Sequence, residues 1–213
     1  AADASRYPIS KQTARIRYGE RRRDKIAWPL ACPHTLLAKP RTDDSHPIPI
    51  AMTSTLPPQR HQFANDHPPR HEGDYVVYWM IAQRRLHWNF ALQHAIDRAI
   101  EFEKPLLIFE PLRVRYQWAS DRIHRFIIEG MRDNAAAAES LPVVYYPYVE
   151  PKPGAGSPLL HRLAKNACTV VTDEYPCFFL PHMIDAVKDK LPARLELIDS
   201  NGVLPLRTAE KTY

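Results

Sequence analysis

Five short runs of β-branched and aromatic residues, separated by amphipathic stretches, predict an α/β protein. The expected architecture is an open, Rossmann-like, five-stranded parallel sheet with helices on both faces, spanning residues 71–207. The strand runs are apolar at successive positions, which suits a sheet covered on both sides. The links are short, so each strand–helix–strand step is a right-handed crossover to a parallel neighbour. A closed barrel would need more such units.

Tyr75-Val76-Val77-Tyr78-Trp79-Met80-Ile81 is the first strand, fully buried by its composition. Trp88–Phe102 carries Phe90, Leu92, Ala95, Ile96, Ala99 and Ile100 at helical spacing. Pro105–Glu110 is the second strand. Ser120 or Asp121 caps a helix reaching about Ser140, with Ile123, Phe126, Ile127, Gly130 and Met131 expected inward. Val143–Tyr146 is the third strand, followed by the Pro/Gly loop Glu150–Gly156 and a short helix over Pro158–Asn166. Cys168–Thr172, a helix over Phe178–Leu191 and the strand Arg194–Ile198 complete the order.

Composition divides the chain at about residue 70. Residues 1–70 hold 10 of the 21 prolines, one glycine and no valine, with 12 basic against 6 acidic side chains. The rest holds 17 basic and 18 acidic side chains, so the basic character belongs to the leading segment. Prolines such as Pro57-Pro58 and Pro68-Pro69 interrupt any helix there. Little apolar surface is available to offset chain entropy, so residues 1–70 read as a disordered extension. Arg21-Arg22-Arg23-Asp24-Lys25 reads as a solvated basic run. Met52 offers an alternative start, which would make residues 1–51 upstream sequence.

Cys32, Cys168 and Cys177 are an odd number without CxxC spacing, which argues against a disulfide framework or a zinc knuckle and for reduced thiols in the cytoplasm. There is no run of about 18 apolar residues, so no membrane partner is expected. His67 and His71 flank Pro68-Pro69 and cannot share a helical face, and no metal site is predicted. P-loop, GxSxG and HExxH motifs do not occur.

Ligands of open α/β sheets bind beyond the carboxyl ends of the strands. The loop after the first strand, Ala82–Asn89, has no glycine, which disfavours a dinucleotide fingerprint. Arg84 and Arg85 there hold an anion, meet another domain's acidic surface, or are plain surface arginines. Asn89 is a helix cap. Asp173-Glu174, at the end of the fourth strand, are either functional acids or complements to a helix N-terminus. Arg84, Arg85, Asn89, Asp173 and Glu174 are the expected lining of the cleft, with Tyr78 and Trp79 behind them. These seven are the candidate cofactor-binding residues, and no catalytic residue is assigned.

Several segments in register resemble the opening of DNA photolyases, most closely the class II type. They are Tyr75–Met80, Arg84-Arg85, Trp88-Asn89-Phe90-Ala91-Leu92, Trp118–Arg122 with His124-Arg125-Phe126, Val170–Pro176 and Asp199–Pro205. The resemblance runs over roughly residues 63–213. Class II proteins often read Asp-Ala-His-Asn where this chain has Asp199-Ser200-Asn201-Gly202.

The resemblance implies a light-driven carbon–carbon lyase of two domains. An N-terminal α/β domain supports an antenna chromophore, of deazaflavin or folate type, in some members. A helical C-terminal domain binds FAD and a flipped pyrimidine dimer, and excited reduced flavin lends the dimer an electron until its ring splits. The expectation is therefore an antenna-side domain. Residues 208–213 would begin the linker to a FAD domain lying outside this chain, and the piece alone would be a monomer inactive in repair. Damaged DNA would be a partner of the whole protein only. A cryptochrome-like light sensor and a free-standing α/β nucleotide-binding module are the alternatives.

Overall fold

A computed structural model describes residues 56–208. The expectations for residues 1–55, Met52 and the basic run among them, and for residues 209–213 lie outside this range. The described chain folds as β1 (His61–Phe63), β2 (Tyr75–Trp79), α1 (Phe90–Glu101), β3 (Leu106–Leu112), α2 (Asp121–Ala138), β4 (Val143–Val149), α3 (Gly156–Lys165), β5 (Ala167–Glu174), α4 (Leu180–Lys188) and β6 (Leu195–Asp199). Short 3-10 turns occupy Pro58–Arg60 and Leu206–Thr208.

The strands form one sheet in the order β1-β6-β5-β2-β3-β4. β2 to β6 are mutually parallel. From β2 the chain steps outward through β3 to β4, then returns to build β5 and β6 on the other side of β2. This reversal is the topological switch point of a doubly wound sheet, where the loops leaving β2 and β5 diverge.

Alternation along the strands divides the core between the two faces. Val77, Trp79, Phe109 and Val170 pack against Leu160 and Ala164 of α3 and Leu180, Ile184 and Val187 of α4. Val76, Tyr78, Ile108 and Val171 pack against Ala91, Leu92, Ala95 and Ala99 of α1. Small residues on α1 let the helix lie close to the sheet. The α/β architecture with helices on both faces is as the sequence predicts.

Three local expectations need correction. The first concerns β1, which pairs antiparallel with β6, His61 opposite Ile198 and Phe63 opposite Glu196. The sheet thus has six strands rather than five, and the domain includes residues assigned to the disordered extension. Three residues flanked by prolines give no periodic signal; the strand exists because β6 offers an unpaired edge. Arg60 supports it, 3% exposed, donating to the carbonyls of Asp199 (3.1 Å), Asn201 (3.1 Å) and Val203 (2.8 Å).

Second, α1 buries Ala91, Leu92, His94, Ala95 and Ala99, while Phe90 and Ile100 are exposed. The buried His94 takes part of the stripe assigned to apolar residues. Third, α2 buries Met131, Asn134 and Ala138, with Ile127 half-buried, while Phe126 faces solvent. The buried stripe runs 127–131–134–138, and Phe126 lies one residue, about 100°, away from it.

Candidate functional site

The sequence-predicted site residues separate into three groups. Tyr78, Asn89 and Asp173 form a buried knot at the switch point. Asp173 projects from the end of β5, and its Oδ2 accepts the backbone N–H groups of Ile81 (2.9 Å), Ala82 (2.7 Å) and Gln83 (3.0 Å). Its Oδ1 accepts the Tyr78 hydroxyl at 2.8 Å, and Asn89 Nδ2 donates to that hydroxyl at 2.9 Å. Asn89 also caps α1, its Oδ1 accepting from Leu92 N at 3.0 Å, as the sequence predicts.

Asp173 therefore satisfies the backbone of the glycine-free loop after β2. A phosphate performs that role in dinucleotide sites. Burial pushes the Asp173 carboxyl above its usual range, against the pull of these donors, and pushes the Tyr78 phenol well up. All three residues face inward and none lines a cleft.

Glu174 points the other way, as adjacent strand residues do. It accepts Gln62 Nε2 at 3.0 Å, is paired with Arg207, and through its carbonyl accepts Asn201 Nδ2 at 2.7 Å. Arg85 lies at the surface, donating to the carbonyls of His87 and Trp88. This closes a loop in which Trp88 takes a φ of 51° and is 90% exposed.

Trp79 and Arg84 do line an open space. A cavity of about 540 Å³ sits at the carboxyl ends of β2 and β3. Trp79 and Phe109 are buried in its wall, and residues of α2, α3 and α4 surround it, including Ile127, Leu160 and Met183. Trp118 and Phe178 meet edge to face at 5.6 Å and are both largely exposed at its rim. Arg84 donates from Nη1 to Glu110 Oε1 at 3.0 Å and from Nη2 to the Pro111 carbonyl at 2.7 Å. Glu110 is fully buried and also accepts from Asn134 (3.0 Å) and Tyr145 (2.5 Å), so Arg84 is held rigidly along one wall.

Sequence reasoning missed most of the cavity. Its rim comes from the 113–118 and 175–179 loops, which are far apart in the chain and lack periodicity. The sequence reading opens a helix at Phe178, whereas Phe178 takes a φ of 62° in the loop before α4, which starts at Leu180.

A second polar cluster also escaped the sequence. His61 of β1, His94 of α1 and Glu196 of β6 have donor atoms within 4.8 Å of one another. Glu196 Oε2 already accepts from His61 Nε2 (3.0 Å), His94 Nε2 (2.8 Å) and Arg98 Nη2 (3.2 Å), and Oε1 accepts from Thr169 (2.9 Å). With a guanidinium on the same oxygen, the group is a closed ion-paired network fastening the edge strand. The donors hold the Glu196 carboxyl well below the usual carboxylate range despite its burial.

Fold and cavity together define a class: an open, doubly wound α/β domain with an aromatic-walled, ligand-sized crevice at its strand ends. Comparison with known proteins adds a lineage. The chain is 32% identical over 145 residues to a deoxyribodipyrimidine photo-lyase of Methanothermobacter thermautotrophicus, a match covering 68% of this chain and 32% of that protein. It is 31% identical over 144 residues to a deoxyribodipyrimidine photo-lyase of Oryza sativa subsp. japonica, covering 64% of this chain and 28% of that protein. The chain is thus related to the photo-lyases and spans about a third of the length of these relatives.

No family model matches the chain. Among solved structures it is similar to a universal stress protein from Archaeoglobus fulgidus DSM 4304, at 16% identity and a TM-score of 0.36, covering 59% of this chain and 44% of that one. It is also similar to a universal stress protein in complex with cAMP, at 16% identity and a TM-score of 0.35, covering 61% of this chain and 99% of that one. Among the described residues, no helix is long and apolar enough to cross a membrane.

Proposed function

We propose that this chain is the N-terminal, antenna-side α/β domain of a class II-like DNA photolyase. On this reading the full protein splits cyclobutane pyrimidine dimers with light and reduced FAD. The flavin and the flipped lesion are held by a helical domain outside the chain, and damaged DNA is bound mainly there. The observation that carries the proposal is the 145-residue match to a photo-lyase.

The site chemistry is consistent with a supporting role. The buried acids Asp173, Glu110 and Glu196 are all taken up by hydrogen bonds within the fold. The described residues present an aromatic cavity and no nucleophile–base pair facing it. Such a cavity suits a light-harvesting pigment of deazaflavin or folate type, which needs a dry, rigid site and no reacting groups. Trp79 and Arg84 are the sequence-predicted residues that would touch it.

The test is a photoreactivation assay on the full-length gene product. The purified protein is expected to show flavin absorbance and to remove cyclobutane dimers from an oligonucleotide under blue or near-ultraviolet light but not in the dark. A flavin-bearing protein that leaves dimers intact in light would transfer the reading to a light sensor. A protein without flavin would overturn both.

A further inference from the structure

Away from the cavity, the carboxyl-end surface carries an apolar patch that the fold itself does not use. Trp88, in the loop after β2, is 90% exposed, and Phe90, at the first position of α1, is also exposed. Val203 and Leu204, in the loop after β6, are 94% and 71% exposed. Scattered apolar residues on a surface are ordinary, but these lie together. Arg60 joins the two loops: its guanidinium lies over the Phe90 ring, 4.8 Å from the centroid, and its Nη2 donates to the Val203 carbonyl at 2.8 Å. None of the four lines the cavity.

The backbone at Trp88 is strained. Its φ of 51° lies in the left-handed region, which a bulky side chain rarely adopts. Arg85 maintains it, donating to the Trp88 carbonyl from Nε at 3.2 Å and from Nη2 at 3.0 Å, and to the His87 carbonyl at 3.2 Å. The strain serves no packing within the domain, because the indole it presents stands in water. Strain of this kind collects at sites that engage something else. Tryptophan is also among the side chains that most often anchor protein interfaces.

The path of the chain indicates the occupant. The turn Leu206–Thr208 follows the patch directly, and Arg207 fixes it by donating to the Gln59 carbonyl at 2.8 Å and by pairing with Glu174. The backbone therefore leaves the sheet beside the patch, and polypeptide continuing from there is tethered against it. The matched segments make up 32% and 28% of the two photo-lyases, so most of each relative lies outside them.

We propose that Trp88, Phe90, Val203 and Leu204 form the surface on which a further domain of the full-length protein docks, with Trp88 as the anchor that enters an apolar socket on that domain. Side chains raised this far from the surface fit a complementary protein face, and burying them there removes the exposed patch. This inference rests on the reading that the chain is one domain of a longer protein.

The test is hydroxyl-radical footprinting, which oxidises side chains according to their exposure, applied to the full-length gene product and to the 213-residue chain. Trp88, Val203 and Leu204 are expected to oxidise several-fold more slowly in the full-length protein. Ile100, exposed at the opposite end of α1, should react equally in both. Trp88→Asn removes the anchor and keeps a residue that tolerates positive φ. In the full-length protein it should raise oxidation of Val203 and Leu204 to the rate of the 213-residue chain, and in that chain it should leave the melting temperature unchanged or higher. Val203→Glu should expose Trp88 in the same way.

Equal oxidation of the patch in the two proteins would overturn the inference. So would a 213-residue chain that sediments as a dimer and becomes a monomer in Trp88→Asn, since the patch would then belong to a second copy. A lower melting temperature of the Trp88→Asn 213-residue chain would make Trp88 a structural residue and overturn its role as anchor. Flavin absorbance is read on the same full-length sample. Protection of the patch without flavin would overturn the photolyase reading and leave the docking surface standing, whereas flavin without protection would overturn the docking surface alone.

Discussion

Glu196 shows how one residue can be decided by its surroundings. It sits in a strand of apolar neighbours, 1% exposed, where an unpaired carboxylate would be prohibitively costly. Two imidazoles, a guanidinium and a threonine hydroxyl turn it into a junction between β1, α1, β5 and β6. Glu196→Gln is expected to cost about 3 kcal/mol, because Arg98 and its neighbours lose their counter-charge in a buried setting. Thermal melting should register this as a fall of roughly 6–12 °C. The folded-state pKa is depressed, so the stabilisation is complete above the ordinary carboxylate value near 4.5 and is lost as pH falls below it toward the folded value. Asp173 works in the opposite sense. Its raised pKa means that the fold gains stability from this group as pH drops through the folded value. Acid titration of Glu196→Gln should therefore show a shallower loss of stability below pH ~4.5 than the parent. An unchanged acid limb would show that the network contributes nothing.

Among the elements, the entry into β2 is the most tightly constrained. Gly73 ends the turn begun at Arg70, whose carbonyl accepts Gly73 N at 3.1 Å, and it passes directly over β5. A Cβ at this position would lie 2.5 Å from Cys168 N and 2.8 Å from Ala167 C, both backbone atoms that cannot swing aside. Gly73→Ala is expected to destabilise the domain by about 1–3 kcal/mol through displacement of β2 against β5. Chemical denaturation should show a lower midpoint with an unchanged slope. Gly130 is a useful control on α2: a Cβ there meets nothing within 4 Å, and alanine favours the helix, so Gly130→Ala should be neutral or stabilising.

At the scale of the whole molecule, β1 closes one edge of the sheet. Asn65 continues its work, donating from Nδ2 to the Lys188 carbonyl at 2.9 Å and accepting Leu195 N at 3.0 Å. A chain beginning at residue 71 would lose this strand, Arg60 and one histidine of the Glu196 network. It would also expose the unpaired edge of β6. Such a chain is expected to melt at lower temperature and to self-associate, measurable by size-exclusion chromatography and calorimetry. A monomer of unchanged stability would show β1 to be dispensable.

Much of this architecture is legible in the amino-acid order. Tyr75–Trp79, Leu106–Leu112 and Ala167–Glu174 announce themselves as buried strands because both faces of a doubly wound sheet are covered, so apolar residues recur without alternation. Asn89 and Ser120 mark helix starts because capping is a local matter of one side chain and a backbone N–H three residues on. What the sequence by itself determined was therefore the order of elements, their helical or extended character and the lineage they follow. Only the tertiary structure decided the rest. It separated Asp173 from Glu174, turned Asn89 and Tyr78 inward, added the short edge strand β1, and gathered Arg113, Trp118 and Phe178 around one cavity. The physical reason is that these outcomes depend on contacts between residues distant in the chain, and such contacts leave no periodic trace along it.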